Sequence, residues 1–167
     1  MTGRPSGDDL GEDVGRLDDR HAADLYRYAL MVLADHAAAA DVVQQVFLGV
    51  LRAGRRLEVS ERYLRRAARN ECYSWLRRRR REGPASDAQL LESSTTVSGD
   101  PDERLTVEQA IRVLPPQQRE VVYLKVFQGL TFQEMADLSG ESINTVASRY
   151  RYALEKLRER LGVPQPT

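Results

Sequence analysis

Residues 131–161 read TFQEMADLSGESINTVASRYRYALEKLRERL. The stretch opens on T-x-x-E, Thr131 with Glu134, a capping box in which hydroxyl and carboxylate each accept a backbone N–H that the first helical turn leaves unpaired. Leu130 and Met135 fall where the accompanying hydrophobic staple belongs. Ala136 is small where two helices must approach. Gly140 stands where the chain needs a left-handed turn, which glycine adopts with least strain. Ser142 is placed as the N-cap of a second helix, whose Ile143, Val146, Tyr150, Leu154, Leu157 and Leu161 repeat at three- and four-residue steps as a buried stripe. Away from that stripe lie Asn144, Thr145, Ser148, Arg149 and Arg151. Short polar side chains and arginines at the start of such a helix are the groups that reach base edges and phosphates. The offsets are those of a helix-turn-helix that reads duplex DNA in the major groove; the alternative is an ordinary helical hairpin with a solvated polar face.

Charge distribution extends this reading upstream. The 167 residues carry no formal net charge, but residues 52–81 hold twelve arginines against three glutamates, a net of +9. Residues 82–110 hold seven acids against one arginine, a net of −6, and residues 1–20 six acids against three arginines, a net of −3. A basic block between acidic flanks is an electrostatic footprint for nucleic acid. The acidic stretch is also placed to compete with DNA for the arginines.

Helical periodicity accounts for most of the chain. Residues 22–35 form a helix with Leu25, Tyr26, Ala29, Val32 and Leu33 as its apolar side. Residues 38–53 form another, burying Val42, Val43, Val46, Phe47, Val50 and Leu51. That helix carries a second stripe, Asp41, Gln44, Gln45 and Leu48, which its own packing does not need and which suits a protein partner. Ser60 caps a helix over 61–81, with Leu64, Ala68, Cys72 and Trp75 in phase on one side. Arg62, Arg65, Arg66 and Arg69 lie on another side with Arg77 and Arg80, beside Asn70 and Arg78. Tyr63 and Tyr73 lie between the stripes, where partial burial competes with stacking on an unpaired base. Residues 82–102, rich in Gly, Pro, Ser, Thr and Asp, read as a flexible acidic linker. A second unit begins near Asp102, with Leu105, Val107, Ala110, Ile111 and Leu114 on one helix. Pro115 and Pro116 end it and start the next, which buries Val121, Val122, Leu124 and Phe127 and stops at Gly129. The fold class is all-α: a tail over 1–20, helical domains over 21–81 and 103–162, and a linker over 82–102.

Other functions find little support. Cys72 is the sole cysteine, so no intrachain disulfide forms, and with His21 and His36 it gives no metal-ligand spacing. No run is long and apolar enough to span a membrane and no signal-peptide pattern opens the chain, which points to the cytoplasm. There is no phosphate-cradling glycine loop and no nucleophile–base motif. The sequence therefore predicts a non-enzyme without cofactor, metal or small-molecule substrate.

The two helical units together resemble a bacterial sigma factor of the extracytoplasmic-function (ECF) type, in the sigma-70 superfamily, with regions two and four only. AADVVQQVFLGVLR resembles the D-x-x-Q-x-x-F signature of region two, with Asp41, Gln44 and Phe47 at its positions. YLRRAARNECYSWLRRRRR resembles the W-L-x-x-I-A-R-N-x-x-x-D-x-x-R segment through Leu64, Ala68, Arg69, Asn70 and Arg77. LPPQQREVVYLKVFQGLTFQEMADLSGESINTVASRYRYALEKLR resembles region four over its whole length. Ser74 stands where an aspartate is common, Ala67 where a larger aliphatic is, Ala147 where a lysine is and Tyr152 where an arginine is.

The resemblance implies a division of labour. Asp41, Gln44, Gln45 and Leu48 would bind the clamp of core RNA polymerase. Arg62, Arg65, Arg66, Arg69, Asn70, Arg77 and Arg78 would hold the opened minus-ten element. Asn144, Thr145, Ser148, Arg149 and Arg151 would read the minus-thirty-five element as duplex. Core RNA polymerase, promoter DNA and an anti-sigma factor are the expected partners. A sigma-like decoy that only sequesters an anti-sigma factor should lose its DNA-facing arginines, and this chain keeps them. A helix-turn-helix regulator with a sensor domain would have no need of the Asp41–Gln44–Phe47 helix.

Overall fold

The computed structural model describes residues 21–54, 59–83 and 107–164, the side chain of residue 108 excepted. Seven α-helices account for the regular structure and no strand occurs among the described residues. Helix α1 covers 21–33, α2 His36–Ala53 and α3 Glu61–Glu82. Helices α4 (Val107–Arg112), α5 (Pro116–Val126), α6 (Phe132–Ser139) and α7 (Ile143–Leu161) follow. The tail, residues 55–58 and the expected acidic linker from residue 84 on, with Asp87, Glu92, Asp100 and Asp102, lie outside the described residues, while Glu82, expected to open that linker, ends α3.

Local signals set the helix boundaries. Asp35 caps α2 by accepting from the Ala38 N–H at 2.9 Å, and Ser60 caps α3 through the Tyr63 N–H at 3.1 Å. Helix α1 ends two residues before the expected boundary. Ala34 takes a left-handed φ of 54°, its N–H donates to the Leu30 carbonyl, and Asp35 is used as the cap of the next helix. In the turn-bearing stretch, the Thr131 N–H donates to Glu134 at 2.7 Å and the Glu134 N–H donates back to the Thr131 hydroxyl at 3.1 Å. Leu130 and Met135 are buried as its staple requires. Gly140 closes α6 at φ 72°, ψ 19°, and Ser142 caps α7 by accepting from the Thr145 N–H.

The two helical units share one interior. Tyr28, Ala29 and Val32 of α1, Val42, Val46 and Val50 of α2 and Leu64, Ala68 and Cys72 of α3 form a continuous buried cluster with Val121, Tyr123 and Leu124 of α5, then Leu130, Met135 and Val146. A second cluster joins Ala110, Ile111 and Leu114 to Val122, Ala153 and Leu157. Several apolar expectations need correction. Leu51, Val107, Phe127 and Ile143 are exposed. Each sits within one turn of a helix end, where neighbouring turns that would cover it run out. Trp75 and Tyr26 are partly covered at the edge of the core, with the Arg79 guanidinium 4.9 Å above the Trp75 ring. Two residues outside the expected stripes also carry packing: Tyr28 lies in the core and Ala153 is fully buried.

Candidate nucleic-acid interface

Helix α2 separates its two stripes. Val42, Val46 and Val50 turn into the core while Asp41, Gln44 and Gln45 stand exposed, with Leu48 half-buried beside them. The expected partner-binding side chains thus form a polar, accessible face with an apolar edge.

Helix α3 divides its polar residues into two groups. Arg62, Asn70, Arg77 and Arg78 are exposed. Arg65 and Arg69, half-buried, and Arg66, itself exposed, are engaged by the C-terminal unit. Arg65 Nη2 donates to the Gln128 side chain at 3.2 Å and to Glu61 at 2.7 Å, and Arg66 Nη2 donates to the Asp137 carbonyl at 2.8 Å. Arg69 Nε donates to Glu120 at 2.8 Å while its guanidinium lies 4.5 Å over the Tyr73 ring. Tyr63 is half-buried against the core, and Tyr73, also half-buried, donates its hydroxyl to Glu120.

The start of α7 presents Asn144 and Thr145 to solvent, Arg151 further along, and Ser148 half-buried. Arg149 is not free. Both terminal nitrogens of its guanidinium donate to the Glu141 carboxylate, one of them at 2.5 Å. That hydrogen bonding, ahead of Arg149's charge, holds the Glu141 carboxyl below the usual carboxylate range. The Arg149 charge is also felt at Tyr73, and the Arg69 charge at Glu141. Helix α6, just before the recognition helix, packs on α3.

Glu120 is the centre that sequence reading missed. It is 3% exposed and accepts from the Tyr28 hydroxyl at 2.7 Å, from Arg69 and from Tyr73. Burial first, then the Glu120 charge, raises both tyrosine hydroxyls well above their ordinary range. Burial alone would lower Arg69, but the facing carboxylate overrides it and the guanidinium is raised. Arg119, one residue earlier, is 8% exposed. It donates to the carbonyls of Met31 (2.8 Å), Val32 (2.5 Å), Arg112 (3.0 Å) and Leu114 (2.7 Å). Desolvation pushes it down to about 10, still charged at neutral pH. A signal for both residues was present. Val121, Val122, Tyr123 and Leu124 place apolar side chains on every side of the turn that follows Arg119 and Glu120, so a charge just before them points to burial with a partner.

Comparison with known proteins agrees with this architecture. Residues 17–82 match sigma-70 region 2 and residues 104–157 match sigma-70, region 4. The chain is 32% identical over 153 residues to the RNA polymerase sigma factor CarQ of Myxococcus xanthus, covering 86% of each chain. It is also 32% identical over 161 residues to the ECF RNA polymerase sigma factor SigL of Mycobacterium tuberculosis, covering 87% of this chain and 88% of that one. The chain belongs to the ECF sigma factor family. Among solved structures, it shares its fold with the sigma factor RpoE of Bartonella quintana in complex with the anti-sigma factor NepR, at a TM-score of 0.68 and 24% identity. That match covers 92% of this ECF-family chain and 99% of the other. CnrH, in complex with the cytosolic domain of CnrY, matches at a TM-score of 0.62 and 22% identity, covering 93% and 91% of the two chains.

Among the described residues no His, Cys, Asp or Glu group could hold a metal ion, and no helix is long and apolar enough to cross a membrane. Cys72 is buried, and desolvation pushes its thiol well up, so it is held as an inert core side chain.

Proposed function

We propose that this chain is a promoter-specificity subunit: it binds core RNA polymerase and directs initiation, with region two (within 21–81) holding the minus-ten element and region four (within 103–162) reading the minus-thirty-five element. Two matched family segments in order make this the natural reading. The observation that carries it is the α2 face: Asp41, Gln44 and Gln45 stand exposed on a helix whose Val42, Val46 and Val50 hold the core, so they are free to serve a protein partner. Exposed Asn144 and Thr145 at the start of α7, with Ser148, Arg149 and the exposed Arg151 further along, support duplex reading. Exposed Arg62, Asn70, Arg77 and Arg78 support contact with an opened strand.

The chain acts by binding and has no reaction of its own. Its partners are core polymerase, promoter DNA and an anti-sigma factor, the last because RpoE and CnrH are each found in a complex of that kind or with a second protein's cytosolic domain. Its place of action is the cytoplasm. Run-off transcription with purified core polymerase and a genomic fragment library tests the reading. Discrete start sites that require the chain are the expected result. Polymerase binding without any initiation would instead identify a decoy, and no polymerase binding would leave a helix-turn-helix regulator.

A further inference from the structure

A cavity of about 490 Å³ opens where the corner between α1 and α2 meets α4 and α5. Clefts of about 300–1,000 Å³ are the size that small ligands fill, and the joint between two structural units is a common place for them. Leu30, Met31, Ala34 and Ala37 form one wall, and Tyr123 and Phe127 stand on the other. A buried guanidinium pins the walls together. Arg119 donates to the Met31 carbonyl at 2.8 Å and to the Arg112 carbonyl at 3.0 Å, and these two residues line opposite sides of the cavity. Phe127 stacks on Tyr123 with ring centres 5.6 Å apart, yet it remains 60% exposed. An aromatic surface is thus left uncovered beside an apolar hollow. Ala34, at the corner, holds a left-handed φ of 54°, an outlier of the kind that gathers at ligand sites.

The charge around this hollow is cationic. Arg27 and Arg112 are exposed at its rim, with Asp35 and His36 beside them. Asp35 is already committed: one oxygen accepts the Ala38 N–H at 2.9 Å and the other faces Arg79 at 3.7 Å. His36 Nδ1 is joined to the Tyr26 hydroxyl at 2.8 Å. Arg27 pairs with Asp24 at 3.2 Å, but both side chains are more than half exposed, and such a surface pair is weak enough to be exchanged. We propose that the cavity is a binding site for a small amphipathic carboxylate, with its hydrocarbon part between Met31 and Phe127 and its carboxylate on the arginines at the rim. Burial of the hydrocarbon supplies the affinity. The guanidinium fork, which matches a carboxylate with two parallel N–H bonds, selects the charge. A cation of the same shape meets only Asp35, whose oxygens are taken. Because the walls come from both helical units, an occupant stabilises the folded chain by mass action. The site goes beyond the function proposed above and does not depend on it, since neither the Asp41–Gln44 face nor the start of α7 lines it.

Calorimetric titration of the full-length chain with sodium octanoate, below its micelle concentration, tests the site. Octan-1-ol and octyltrimethylammonium serve as chain-matched controls. Octanoate should saturate one site per chain and raise Tm with concentration. Octanol should bind about tenfold more weakly, the loss of one charge-assisted hydrogen bond, and the ammonium more weakly still. Arg27→Gln with Arg112→Gln, both at exposed positions, should erase the gap between octanoate and octanol. Ala37→Trp, which sets an indole into the cavity from an exposed helical position, should abolish binding of both. Circular dichroism checks that each variant is folded. The site is overturned if octanoate shows no saturable binding, if the ammonium binds as tightly as the carboxylate, or if either folded variant binds octanoate like the wild type. If Ala37→Trp does not fold, the arginine pair decides. The titration contains neither polymerase nor promoter, so a chain that fails to drive initiation leaves this result standing, and a chain that ignores octanoate leaves the proposed function standing.

Discussion

Arg149 and Glu141 face each other across the turn that begins the recognition helix, with both terminal nitrogens of the guanidinium on one carboxylate. A planar fork held this way is fixed in direction before any DNA arrives. Arg149→Ala should reduce discrimination at the upstream element by about 1–3 kcal/mol, the worth of one bidentate base contact. Glu141→Gln should separate aim from charge: general duplex affinity rises with the lost negative charge while discrimination falls. Titrations against matched and altered sites at two salt concentrations measure both quantities. Equal weakening on every sequence would make Arg149 a phosphate contact.

Asp41→Ala with Gln44→Ala should weaken binding to core polymerase without loss of helicity. Both side chains are exposed and neither supports the core. A pull-down titration alongside circular dichroism checks the pair of readings.

The turn should be sensitive to small changes. Thr131→Ala removes half of the capping box and should lower stability by about 1 kcal/mol. Gly140→Ala forces an L side chain to φ 72° and should cost about 1–2 kcal/mol. The reverse change at Ala34, which already holds φ 54°, should stabilise: Ala34→Gly raises Tm in a thermal melt.

Acid should loosen the helix-turn-helix first. The carboxyls of Glu134 and Glu141 are both lowered, Glu134 by hydrogen bonds from Thr131 and Glu141 by Arg149. Groups with depressed folded values contribute stability that is present above their unfolded value, near 4.3, and lost as pH falls through the folded one. Hydrogen exchange at residues 131–149 should therefore accelerate below about pH 4, and Glu141→Gln should flatten that dependence.

Arg119→Met should destabilise by at least about 1–3 kcal/mol, the penalty of leaving buried carbonyls unsatisfied. The two helical clusters should then melt in separate steps in calorimetry.

Much of this fold is legible in the sequence because its signals are local. Thr131, Glu134, Gly140, Ser142 and Ser60 act on backbone groups within four residues of themselves, and each does what its position implies. Leu51, Val107, Phe127 and Ile143 misled because periodicity says which side of a helix a residue takes but not whether a neighbour reaches that far along the axis. Glu120 was hidden for another reason. Its partners lie 92, 51 and 47 positions away, and no short-range pattern marks a carboxylate whose donors are so distant. The same distance conceals that Arg65, Arg66 and Arg69 face protein as well as solvent. Arg149 lies off the main apolar stripe, but its pairing with Glu141 depends on how the turn folds back.

Arg119 reaches the ends of α1 and α4 through backbone oxygens alone. A carbonyl is the same atom whatever side chain its residue carries. Met31, Val32, Arg112 and Leu114 could each be exchanged for another residue of compatible shape without removing the acceptor that Arg119 needs. The joint is thus silent to pairwise covariation: Arg119 has no complementary letter elsewhere in the chain with which to change in step. Homologues could drift at all four acceptor positions and keep this seam, so a search for correlated substitutions between the two units would pass over one of their firmest connections.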